Sequence, residues 1–179
     1  MNINDQATKR PDAPAEPRNE VVVGIDDSPE SAAALRWAAE QSKVSGAPLR
    51  LVHTWQISAT ASAAVISGGA AYLEAAAADA RARATRWVLD TLGGDAAQVH
   101  WVLEVHEGGA GPVLVAKAHG ARMLVVGTHE HTGLRRAVSG SVSHYALAHA
   151  DLPVVAVPSA RIAVPAARNG RASPVGPLL

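Results

Sequence analysis

Residues 123–143, MLVVGTHEHTGLRRAVSGSVS, decide how the rest of the chain is read. An apolar run from Met123 to Val126 enters a loop bearing Gly127, Thr128 and Gly133, and the loop runs into a helix start at Gly140, Ser141 and Val142. A strand feeding a helix through a glycine-bearing loop is half of a β-α unit. Such a junction also suits an anion. The first N–H groups of a helix have no intrahelical partner, and the helix dipole adds positive potential there. The expected guest is phosphate. Glu130 in the same loop opposes it, because at about 5 Å and an effective dielectric near 20 a carboxylate repels one phosphate charge by roughly 3 kcal/mol.

Working outward, short β-branched runs recur at 21–25, 49–55, 99–105, 122–126 and 153–157. They are nearly continuous in apolar residues, as strands covered on both faces are. Helix signals fill the gaps. Ser28, Pro29 and Glu30 form an N-cap, an N1 proline and a first-turn acid for a helix ending near Gly46. A second helix runs from Ala71 to Leu92 and stops at Gly93 and Gly94, a third from Gly111 or Pro112 to His119, and the last from Gly140 to Ala150. The segment 56–70, QISATASAAVISGGA, has weak periodicity and two adjacent glycines, and reads as a mobile connection over the ligand-side edge. The alternation predicts a doubly wound parallel sheet with helices on both faces, with ligands at the carboxyl ends of its strands where strand order reverses.

The chain has 179 residues, 48% of them hydrophobic, which is room for a single domain with a two-sided core. Residues 1–19, polar with Pro11, Pro14 and Pro17, and residues 159–179, a mix of Pro, Gly, Ala, Arg and Ser without periodicity, read as disordered tails around a folded unit at 20–158. Formal net charge is zero, so neither a nucleic-acid footprint nor a polybasic membrane patch is expected. No cysteine is present and no apolar leader segment stands at the N-terminus, which fits a cytoplasmic protein. A Gly-Lys-Ser/Thr phosphate loop is missing, and GGAGPVL at 108–114 is a fragment of a dinucleotide fingerprint after the wrong strand. Adjacent Ser143 and His144 point different ways on a helix, so no triad is read, and catalytic residues are not expected. His129 and His131 flank Glu130 without a predictable third ligand, so no metal site is read. His53 reads as a hydrogen-bonded core residue. The tryptophans at 37, 87 and 101 read as core or interface, and Trp55 as a candidate pocket wall.

The pairing of VVVGIDDSPES with VVGTHEHTGLRRAVSGSVSHYALAHADLPVVAVP resembles the universal stress protein family over nearly all of residues 20–158. The matching positions are Gly24, Asp26 and Ser28, His53, Gly108, Gly127, Gly140 with Ser141, and the closing LPVVAVP strand. The resemblance implies a Rossmann-like five-stranded sheet, a homodimer paired through the strand at 153–157, and a pocket for ATP or another adenine nucleotide, with or without magnesium. Asp26 and Thr54 would face adenine. Gly127 and the following loop, with Thr128 and Gly133, would face the phosphates, and Gly140, Ser141 and Val142 the terminal phosphates; Gly24 and Gly108 complete the implied set. The nucleotide-binding branch carries Gly-x2-Gly-x9-Gly-Ser/Thr, and here Glu130 stands at the second glycine. The expected function is therefore a nucleotide-responsive stress module without efficient turnover, acting on a protein partner. Two alternatives stay open: a nucleotide-free dimeric interaction module closed by Glu130, and a slow ATP hydrolase.

Overall fold

The structure, a computed structural model, describes residues 18–56, 59–128 and 141–159. Strands β1 (Arg18–Ile25), β2 (Leu49–Trp55), β3 (Trp101–Glu107), β4 (Ala121–Thr128) and β5 (Val154–Pro158) form one sheet in the order β3-β2-β1-β4-β5. All four pairings are parallel. Helices α1 (Pro29–Ser45), α2 (Ala59–Leu92), α3 (Ala110–Ala118) and α4 (Ser141–His149) connect them, with a 3-10 turn at Gly93–Ala97. This is the expected doubly wound α/β fold, and its strand order reverses between β1 and β4.

Local chemistry accounts for the first crossover. The Ser28 hydroxyl accepts from the Ser31 amide at 3.1 Å, Pro29 opens the helix, and Gly46 ends it at φ 70 by donating to the Ser42 carbonyl at 2.8 Å. The second crossover corrects the expected connection over 56–70. The backbone is helical from Ala59, and only Gly69, at φ 56 and ψ −143, departs from helix. Alanine and serine sustain helix without an apolar stripe, and glycine alone enters positive φ at little cost, so the weak periodicity marked a kink rather than a loop.

Three strand ends also moved. β1 begins at Arg18, within the expected tail, because the Arg18 amide donates to the Gly120 carbonyl and its guanidinium to the His119 carbonyl, both at 2.7 Å. β3 starts two residues later than expected: Val99 is buried before the strand, and the Trp101 indole donates to the Ala96 carbonyl at 3.1 Å. β4 runs on through Gly127 and Thr128, which had been placed in the loop.

Period-two alternation divides the core. On one face Val21, Val23, Leu49, Leu51 and Val125 pack on Leu35 and Ala38 of α1 and Val88 of α2. On the other, Val22, Val52, Leu124 and Val126 pack on Leu114 and Ala118 of α3 and Ala146 of α4. Each enclosed Val or Leu contributes about 1.5–3 kcal/mol relative to exposure.

The second face carries charge toward β3, where helix cover ends. Arg50, 8% exposed, pairs with Glu20 and reaches Glu104 at 3.6 Å. His106 donates from Nε2 to Glu104 at 2.8 Å, and Lys117 stands 3.7 Å away. Partial burial pushes the Glu104 carboxyl up, but the His106 bond and the Arg50 and Lys117 charges outweigh it and hold it below 4.5.

Candidate functional site

At the carboxyl end of β1, the chain must turn out of the sheet and start α1 within three residues. Asp26 organises that turn. Its Oδ1 accepts from the Ser28 amide at 2.9 Å and the Ser28 hydroxyl at 2.5 Å, while its own amide donates to the Ser31 hydroxyl at 2.9 Å. The carboxylate is thus held by one oxygen, and Oδ2 has no hydrogen-bond partner among the described residues. It is an acceptor poised at the sheet's rim.

Beside it, on the α3/α4 face, lies a cavity of about 280 Å³ walled by Gly24, Asp26, Thr54, Ala110, Gly127 and Val142. Val52, Leu114 and Val126 make its apolar floor, and Ser31 backs the rim. The site therefore draws on β1, β2 and β4 and on the first residues of α3 and α4, across the point of strand reversal. Among the described residues its chemistry is an apolar slot with one carboxylate, that of Asp26, and the hydroxyls of Thr54 and Ser31. That suits a flat heterocycle carrying N–H donors.

The glycines serve packing as much as access. A Cβ on Gly127 would stand 2.5 Å from the Glu30 backbone carbonyl carbon, so glycine lets the first turn of α1 approach β4. A Cβ on Gly24 would stand 2.7 Å from Leu114 Cδ1, inside the floor of the cavity. Gly108 does not line the cavity. It holds φ 133 and donates to the Trp55 carbonyl at 2.9 Å, a backbone role at the end of β3.

Thr128 is buried at 7% exposure, and its hydroxyl has no partner among the described residues. Beyond it, Glu130, Gly133 and Gly140 lie outside the described residues, with His129, His131, Arg135 and Arg136. Ser141 opens α4 and is exposed. Among the described residues no group of three or more His, Asp or Glu is placed to hold a metal ion, and no helix is long and apolar enough to cross a membrane.

A profile of the universal stress protein family matches residues 17–158. The chain belongs to the universal stress protein family. A universal stress protein from Mycolicibacterium smegmatis is 32% identical over 148 residues, covering 76% of this chain and 47% of that protein. The chain thus spans about half the length of this relative. The universal stress protein UspA from Lactobacillus plantarum has the same fold at TM-score 0.53 and 20% identity, covering 78% of this chain and 98% of its own. A universal stress protein from Archaeoglobus fulgidus in complex with dAMP matches at TM-score 0.51 and 20% identity, covering 77% and 96%.

Of the residues expected in this universal stress protein's pocket, the fold brings together Gly24, Asp26, Thr54, Gly127 and Val142. Sequence reasoning missed Ser31, Ala110 and Leu114. Ser31 was legible as the third residue after the cap, whereas Ala110 and Leu114 enter only through the tilt of α3 across the sheet. Trp55, expected as a pocket wall, lines neither this cavity nor the second one described below.

Proposed function

We propose that this universal stress protein binds an adenine nucleotide in the cavity at the β1/β4 reversal and acts as a regulatory or stress-resilience module without efficient turnover, with residues 20–158 as the working unit. The observation that carries the reading is the cavity itself: an apolar slot at the strand ends, rimmed by the free oxygen of Asp26 and the Thr54 hydroxyl. Its volume, near the lower bound of ~300 Å³ for small-molecule sites, accommodates a base and sugar rather than a whole triphosphate. Phosphates would leave it past Gly127 and the start of α4, and a magnesium ion would ride on them rather than on a protein cage. The A. fulgidus protein with dAMP lends support, since it shares the fold and its ligand is a monophosphate.

Binding would change the surface offered to a partner protein. A homodimer in the cytoplasm is part of the proposal. Among the described residues β5 pairs with β4 alone, and a second copy laid along its other edge would satisfy its unpaired backbone groups.

Calorimetric titration with AMP, dAMP and ATP, with and without magnesium, tests the reading. AMP or dAMP should bind, and silence from all three would overturn it. Glu130 supports the second reading, a nucleotide-free interaction module. If Glu130→Gly creates ATP affinity where the parent chain has none, the glutamate is a block; if it weakens existing affinity, the glutamate takes part.

A further inference from the structure

A second cavity, of about 290 Å³, lies on the opposite face of the sheet, between the end of β1 and α2. Ile25, Ala84 and Trp87 make its apolar floor, and Asp26, Asp27, His53 and Arg83 its polar rim. It matches the first cavity in size, and the Ile25–Asp26 backbone separates the two. Its chemistry is different.

The rim is rich in acceptors. His53 places Nδ1 at 3.1 Å from the Ile25 carbonyl oxygen, and since a carbonyl only accepts, Nδ1 carries a proton, and in the Nδ1–H tautomer Nε2 is an acceptor. Asp26 has Oδ2 free, and Asp27 has no hydrogen-bond or ion-pair partner among the described residues. The one cation in its lining among the described residues, Arg83, is engaged by Asp79 one turn earlier on α2. Two carboxylates therefore remain as uncompensated charge over a floor that includes Trp87. Aromatic faces and carboxylates attract the same kind of guest. A bare metal ion is a poor fit, because no group of three or more ligating side chains is gathered among the described residues. A nucleotide carries the wrong charge.

We propose that this second cavity binds a small, flat organic cation bearing N–H donors, of the amidinium or aryl-ammonium class. The cation's N–H groups meet Asp27 and His53 Nε2, and its apolar body lies on Trp87. The site does not depend on the nucleotide reading.

The test is calorimetric titration of the full chain with benzamidine, with benzamide as its neutral isostere, repeated on Asp27→Asn and in saturating AMP. Benzamidine should bind at least about tenfold more tightly than benzamide. Asp27→Asn should weaken benzamidine by about fivefold, the worth of one partly exposed ion pair. AMP should not displace it. Equal affinity for the two probes, no benzamidine binding, an unchanged Asp27→Asn affinity, or competition by AMP would each overturn the proposal. Should the nucleotide reading fail instead, AMP would show no binding of its own while the benzamidine result stood.

Discussion

The two cavities flanking the end of β1 are nearly equal in volume, about 280 and 290 Å³, and share Ile25 and Asp26 in their walls. Their linings differ in kind. The one on the α3/α4 face is built of backbone and small side chains, Gly24, Ala110, Gly127 and Thr54, delivered by strand ends and helix starts. The one on the α2 face is built of large side chains, Trp87 and Arg83 from the C-terminal half of α2, His53 from β2 and Asp27 from the turn after β1. Volume thus says little about what a site takes. On the proposed reading, small residues at strand ends would admit a flat base and leave its phosphates to main-chain donors, whereas charged and aromatic side chains would choose a guest by charge.

The contrast can be strained first through the two cores. Leu35 is fully enclosed on the α1/α2 face, while Leu114 borders the first cavity. Leu35→Ala should cost about 3–4 kcal/mol in denaturant unfolding and Leu114→Ala about 2, because the second site has space to absorb the loss; equal costs would mean that the cavity is not a defect in packing. Gly127→Ala should cost about 2 kcal/mol, since its Cβ meets the Glu30 backbone rather than a movable side chain. Thr54→Trp should fill the first cavity, weakening AMP by about tenfold or more, some 1.4 kcal/mol, with benzamidine affinity unchanged. The smallest effect belongs to Glu104. Its carboxyl is held below its ordinary 4.5, so the stabilisation it gives is complete above that value and lost as pH falls through the lowered one. Glu104→Gln should flatten that acid limb of the stability curve, by under about 1 kcal/mol for so exposed a group.

The fold was legible where chemistry is local. Ser28-Pro29-Glu30 and Gly46 bounded α1, and five β-branched runs separated by helix signals were sufficient for a doubly wound sheet. The segment 59–68 was misread because alanine and serine carry helix propensity without the apolar period that marks a helix. Within the candidate site, Asp26, Thr54 and Gly127 could be read because residues at strand ends face ligands in this topology. Gly108 looked equivalent and is not: its positive φ answers a turn at the end of β3. Ala110 and Leu114 depend on how α3 crosses the sheet, and the second cavity depends on which turn of α2 meets β1. Neither is encoded in any local pattern. Trp87 rather than Trp55 became the aromatic wall for that reason.

The central claim is that the α3/α4 face, not the α2 face, receives an adenine nucleotide. Amide chemical shifts of the isotopically labelled chain titrated with AMP test it most directly. The account predicts saturable changes at Gly24, Asp26, Thr54, Ala110, Gly127 and Val142, with Arg83 and Trp87 unmoved. Changes centred on Asp27, His53, Arg83 and Trp87, or no change at all, would contradict it.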